Sequence, residues 1–262
     1  MMRGKRTPAR ENAMALFHAH FYSDALQLQC AADVILPDRR RRPSRPLPCL
    51  WLLHGLSDDH TVWQRRTSIE RYGRPYDLAV VMPCVHRSFY ADMAHGLRYW
   101  TFISEELPRL MRLYFPLSAR RADNYAAGLS MGGYGAFKLA FNRPERYAAA
   151  ASLSGSLDQA GLWRSPERRR RLADVFAGNP KGTADDLFHA ASALVKSRKP
   201  RPRLYQWCGT EDFLYRDNLR FRDHARKLGL KVDYADGPGG HDWACWDEQI
   251  QKVLVWMDLQ GA

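Results

Sequence analysis

The sequence predicts an α/β protein with a mainly parallel central sheet and helices on both faces. Two patterns carry that expectation. Short apolar runs recur along the chain and alternate with longer amphipathic stretches, as βα units do. Most of the runs are also continuously apolar, which suits strands buried on both faces. At 262 residues, 45% of them hydrophobic and 26% charged, the chain suits one large domain with a substantial core.

Residues 1–13 are basic and without structural pattern, so they read as an extension and 14–262 as a single domain. Residues 17–22 and 26–36 resemble an antiparallel pair covering one side of the sheet. The buried strands are expected at 49–54 (CLWLLH), 78–83 (LAVVMP), 125–128 (YAAG), 148–153 (AAAASL) and 204–208 (LYQWC). Residues 230–234 (LKVDY) alternate and read as a strand nearer an edge. Helices are expected at 105–115 behind Ser104 as N-cap, with Leu107, Leu110, Met111 and Tyr114 on one face, and at 132–142, 217–228 and 247–259. The segment 156–202 is long, charged and turn-rich, with a helical pattern at 187–195. It reads equally well as an inserted lid or as a surface excursion.

Composition excludes several classes. No apolar run approaches the ~20 residues of a membrane-spanning helix. The basic start is not followed by the apolar stretch of a secretory signal, so a cytoplasmic location is expected. The five cysteines, Cys30, Cys49, Cys84, Cys208 and Cys245, lack the short spacings of a zinc site or redox dithiol and read as small core residues. The net charge of +12 comes largely from arginine blocks at 39–42, 168–171 and 198–203. These lie between the expected elements and lack interleaved aromatics, so they read as solvated surface rather than a nucleic-acid platform.

Gly128-Leu129-Ser130-Met131-Gly132 matches G-x-S-x-G, in which serine sits on a strained strand-to-helix turn. Its neighbours two positions away must be small so that the chain can bend tightly. YAAG before it and GYGAFKLAF after it supply the strand and the helix. A dinucleotide-binding reading fails, because GLSMGG does not fit G-x-G-x-x-G.

Serine needs a positioned base, and in this α/β-hydrolase arrangement the acid and then the histidine follow it in the chain. Of the later histidines, His189 precedes the good acid candidates. His224 falls inside an expected helix among charged neighbours. His241 follows the turn DGPGG after the last strand and is the expected base. The loop leaving LYQWC carries Glu211 and Asp212; Asp212 is favoured as the residue that orients the imidazole, with Glu211 the alternative. The expected oxyanion donors are the backbone N–H groups of Met131, after the nucleophile, and Leu56, in the loop after the third strand. His54 precedes Ser130 and reads as structural. Trp100 and Trp243 either line the pocket or pack in the core.

With LLHGLSDDHTVW, WTFISEELP, AGLSMGGYGAFKLA, WCGTEDFLY and GGHDWACW in place, residues 21–257 resemble the esterase D-like α/β-hydrolases. Within that branch the chain looks most like the bacterial tributyrin esterase and acetylesterase group. The resemblance implies hydrolysis of short-chain acyl esters, acetylated carbohydrates among them, by Ser130, Asp212 and His241. It implies no cofactor or metal, and a small-molecule ester as partner rather than nucleic acid or membrane. The S-formylglutathione hydrolases are similar but usually carry histidine where Leu129 stands; feruloyl esterases and mycolyltransferases share the core. The alternatives are therefore a thioesterase of the S-formylglutathione hydrolase kind, an acyltransferase on the same scaffold, and a binding protein that keeps the fold. Self-association is left open.

Overall fold

A computed structural model describes residues 13–38 and 45–257. Its strands are β1 (Met14–Ser23), β2 (Leu28–Pro37), β3 (Cys49–Leu53), β4 (Ala79–Pro83), β5 (Asn124–Leu129), β6 (Ala149–Leu153), β7 (Arg203–Gly209) and β8 (Val232–Gly237). They form one eight-stranded sheet in the order β1-β2-β4-β3-β5-β6-β7-β8. From β4 to β8 every pairing is parallel.

The helices are α1 (Val62–Arg66), α2 (Ile69–Gly73), α3 (Tyr99–Thr101), α4 (Leu107–Tyr114), α5 (Met131–Asn142), α6 (Gln159–Leu162), α7 (Pro166–Leu172), α8 (Leu187–Lys196), α9 (Tyr215–Lys227) and α10 (Trp243–Trp256). They divide between the faces as the alternating side chains of each strand dictate. Cys49, Trp51 and Leu53 of β3 pack with residues of α4, α5, α8 and α9. Leu50 and Leu52 point the other way, into a layer with residues of α1, α2 and α10. β3 to β6 are buried throughout, which is why their sequences are apolar without alternation.

Several expectations change in the structure. The N-terminal hairpin does not cover the sheet; it extends it, with β2 hydrogen-bonded antiparallel to β4 from Ala32↔Pro83 to Ile35↔Val80. Its buried Val34 and Ile35 continue both core layers instead of closing one. Ser104 is not a helix cap but lies in a π-helical turn, Phe102–Glu106, between α3 and α4. The helix begins earlier because Asp92 accepts hydrogen bonds from Thr101 N and Oγ1, both at 2.8 Å. Tyr114, placed by its spacing on the buried face, is exposed. The block 168–171 is helical, in α7: Ser165 is an N-cap whose hydroxyl accepts from Arg168 N, with Pro166 at the first turn, a standard helix start.

α10 begins four residues before its expected position, capped by Asp242, whose carboxylate accepts from Cys245 N at 3.1 Å. The arginine block at 39–42 lies outside the described residues, as does the basic extension except for Ala13. The carbonyl of Ala13 accepts from Asp38 N at 2.7 Å.

The loops after β3, β5, β7 and β8 emerge at the C-terminal edge of the parallel strands, where α/β sheets bind ligands. The tightest packing lies beneath that edge. A Cβ on Gly128 would come within 2.5 Å of Gly132 C, and one on Gly132 would drive into the carbonyl oxygen of Leu53. Backbone lies on the far side of both glycines, so nothing flexible can give way. Gly132→Ala is therefore expected to destabilise the fold by about 2 kcal/mol or more, measured as the shift in urea midpoint. An unchanged midpoint would contradict this close approach.

Candidate active site

Ser130 joins β5 directly to α5 with φ 53° and ψ −115°, a conformation that a non-glycine residue holds only when its surroundings impose it. Three backbone hydrogen bonds do so. Ser130 N donates to Leu153 O at 2.9 Å, while its carbonyl accepts from Tyr134 N at 3.1 Å and Ser156 N at 3.0 Å. The turn is thus fastened to β6, to the loop beyond it and to α5.

The loops after β7 and β8 bring two further side chains to the same place. His241 Nδ1–H donates to Asp212 Oδ2 at 2.8 Å, and Ser130 Oγ–H donates to His241 Nε2 at 2.9 Å. The carboxylate fixes the tautomer: with the proton on Nδ1, Nε2 is left as an acceptor facing the serine. Asp212 is buried and held in turn, its Oδ1 accepting from Leu214 N at 2.8 Å. The imidazole is wedged between aromatic rings, with Phe213 at 4.6 Å and Trp246 at 4.9 Å between centroids.

Leu56 and Met131 lie beside this group. Residues 55–58 form a turn in which Asp58 N donates to Gly55 O at 3.3 Å, and Gly55 N donates back to Asp58 Oδ2 at 3.2 Å. Leu56 sits at its apex and its N–H takes no part in either bond. Met131 opens α5, so its N–H has no partner within the helix. His54 fastens the turn from below: its Nδ1–H donates to Gly55 O at 2.7 Å and its Nε2 accepts from Val85 N at 3.0 Å. Burial pushes its pKa down to about 4.

A pocket of about 390 Å³ opens over Ser130 and His241; its walls include Leu56, Asp58, Phe89, Arg168, Arg171, Phe213, Trp243 and Trp246. A larger hollow of about 750 Å³, between Asp158, Lys181 and Arg220, contains none of the three hydrogen-bonded residues. Trp243 is part of the pocket wall, packed edge-on against Trp63 at 5.1 Å. Trp100 is not; Lys138 and Arg143 stack on it, at 4.7 and 5.4 Å from its centroid.

Glu211 is exposed and joins the site only through its backbone N–H, which donates to Gly239 O at 3.1 Å. His189 is exposed on α8. His224, expected to be solvated, is half-buried instead and ties α9 to α8, its Nε2 lying 3.0 Å from Phe188 O. Sequence reasoning passed over Phe89, Phe213, Trp246, Arg168 and Arg171. The aromatics carry no motif of their own, whereas Ser165-Pro166-Glu167 is a helix-start signal that could have marked the helix presenting the arginines.

The Esterase family model matches residues 23–257. The chain belongs to the esterase family. It is 28% identical to an acetyl esterase of Caldicellulosiruptor saccharolyticus, across 93% of this chain and 98% of that protein. Among solved structures it is similar to FphF, a fluorophosphonate-binding serine hydrolase of Staphylococcus aureus, at 36% identity and a TM-score of 0.86. That match covers 94% of this esterase and 98% of FphF. The S-formylglutathione hydrolase FrmB of the same organism is 37% identical with a TM-score of 0.84, covering 93% and 98%. The chain is a serine hydrolase acting on carboxylic esters. None of the helices among the described residues is long and apolar enough to cross a membrane.

The buried histidine below the site makes the fold sensitive to acid. His54 remains neutral in the folded esterase down to about pH 4, while an unfolded chain protonates it near its ordinary 6.5. Between these values the unfolded state binds more protons, so stability falls as pH drops from 6.5 towards 4, by about 3 kcal/mol from this residue. Urea denaturation at pH 7.5, 5.5 and 4.5 should show a shallower pH dependence for His54→Asn than for the wild type. Parallel curves would rule out this contribution.

Proposed function

We propose that this esterase hydrolyses short acyl esters, acetyl to butyryl, through an acyl-enzyme on Ser130, with His241 as base and Asp212 orienting it. The observation that carries the reading is the continuous hydrogen-bonded chain from Asp212 through His241 to Ser130 Oγ, at 2.8 and 2.9 Å. As Oγ attacks the carbonyl carbon, its proton passes to His241 Nε2, and Asp212 stabilises the resulting imidazolium. The N–H groups of Leu56 and Met131 are the donors proposed for the developing oxyanion. Collapse of the tetrahedral intermediate returns the proton to the departing alcohol. Water, deprotonated by His241, then attacks the acyl group; as the bond to Oγ breaks, His241 returns that proton to Ser130 Oγ and the acid is released.

The small, aromatic-walled pocket and the similarity to an acetyl esterase support the short-acyl preference. A second reading has its own support in the similarity to FrmB: the same chemistry on a thioester, with S-formylglutathione as substrate. All five cysteines are free, in keeping with the reducing cytoplasm as the place of action.

Nitrophenyl esters of increasing acyl length, assayed beside S-formylglutathione, distinguish these readings. The specificity constant kcat/KM is expected to be highest between two and four carbons. It should fall at least about tenfold by eight, since forcing extra methylenes into a packed pocket costs about 1–3 kcal/mol. Ser130→Ala should lower turnover by on the order of 10⁴-fold or more. A preference for acyl chains of eight or more carbons contradicts the short-acyl assignment, and a dominant rate on S-formylglutathione favours the thioesterase.

A further inference from the structure

Helix α7 places two cations on the wall of a pocket whose other residues include the aromatic side chains of Phe89, Phe213, Trp243 and Trp246. Arg168 and Arg171, one turn apart, both line it. Arg171 is paired with Glu167 at 2.7 Å, and both side chains are more than half exposed, so that pair is weak and exchangeable. The guanidinium of Arg168 lies over the ring of Phe213, 5.6 Å from its centroid, and makes no ion pair among the described residues. Of the nearby carboxylates, Asp158 and Asp217 both bind Arg220, at 2.7 and 2.9 Å, and Asp217 feels Arg168 only at longer range, without an ion-pair contact. Asp58, the single carboxylate on the pocket wall, accepts from Gly55 N.

Phe213 connects this cation to the chemistry. Its ring packs on the imidazole of His241 at 4.6 Å and is 63% exposed, so it offers an accessible apolar surface between the histidine and Arg168. From the serine outward, the site therefore presents a reacting centre, an open aromatic face and then an unpaired guanidinium. That sequence of groups complements a molecule with an ester, a short apolar spacer and an anion. Guanidinium is the side chain best suited to the last of these, because its planar fork matches a carboxylate with two parallel hydrogen bonds.

We propose that Arg168, assisted by Arg171, forms an anion subsite at the pocket mouth, so that the preferred substrates are esters carrying a carboxylate a short spacer away from the scissile bond. The inference rests on the serine esterase reading of the same pocket and specifies its substrate class. Neutral short-chain esters occupy the reacting centre without using the subsite.

The test compares matched pairs of acetyl and butyryl-sized esters. In one pair the carboxylate is on the alcohol side: 4-acetoxybenzoate against its neutral methyl ester. In the other it is on the acyl side: 4-nitrophenyl hemisuccinate against 4-nitrophenyl butyrate. For each pair the ratio of kcat/KM, anionic over neutral, is measured for the wild type, Arg168→Gln and the Arg168→Gln/Arg171→Gln double variant. Each ratio is internal to one protein preparation, so partial loss of folded enzyme cancels. In at least one pair the ratio should fall about tenfold in Arg168→Gln, the size of a charge-assisted hydrogen bond, and further in the double variant. The pair that responds identifies the side of the substrate that bears the anion. The wild-type ratio should also shrink when salt is raised from 0.05 to 0.5 M, as screening of an exposed site requires. Ratios unchanged within twofold in both pairs overturn the subsite. Failure of the underlying reading looks different: Ser130→Ala would then still hydrolyse the neutral esters.

Discussion

Where β5 gives way to α5 the chain turns at a single residue, Ser130, held at positive φ, and the rest of the site is arranged around that turn. The bend requires α5 to start against the end of β3, with Gly132 touching the Leu53 carbonyl and Gly128 touching Gly132. A side chain at either glycine would separate the strand from the helix. Because the turn is also hydrogen-bonded to Leu153 O and Ser156 N, Oγ is fixed relative to β6, and through the sheet to the loops after β7 and β8. The 2.9 Å contact with His241 thus joins a turn fixed to the sheet with a side chain presented by the loop after β8.

The remaining elements support this geometry from two sides. Below the turn, His54 links Gly55 O to Val85 N, joining the loop after β3 to the one after β4 and holding Leu56 beside Ser130. Above it, Asp242 caps α10 one residue after His241, so the helix start anchors that imidazole. Aromatic packing of Trp63, Trp243, Trp246 and His241 continues that anchor across the face of the sheet.

Much of this was readable from the sequence because its causes are local. Strands buried on both faces must be continuously apolar, and five runs of that kind became strands close to their expected bounds. Gly128 answers to a steric demand four residues away, at Gly132, whereas the demand on Gly132 itself comes from Leu53 and is not visible locally. Glu211 and Asp212 could not be separated so simply; only the direction of the chain after Gly209 exposes one and buries the other beside the imidazole. What escaped depends on distant partners. The π-helical turn at Phe102–Glu106 places Glu106 where it accepts from Ser23 Oγ and from Asp24 and Ala25 N, contacts some eighty positions away. The arginines of α7 read as solvated charge because nothing in their own segment indicates Phe213, which meets Arg168 only through the fold.

Among the described serines, Ser130 is the one proposed to pass its proton to a histidine that a buried carboxylate orients. An excess of a fluorophosphonate reports this directly, since it reacts only with an activated hydroxyl and remains attached. Intact-mass analysis with peptide mapping should find one adduct per chain, on Ser130, and none on the Ser130→Ala protein. An adduct on a different serine, or a native chain that stays unlabelled, would contradict the account.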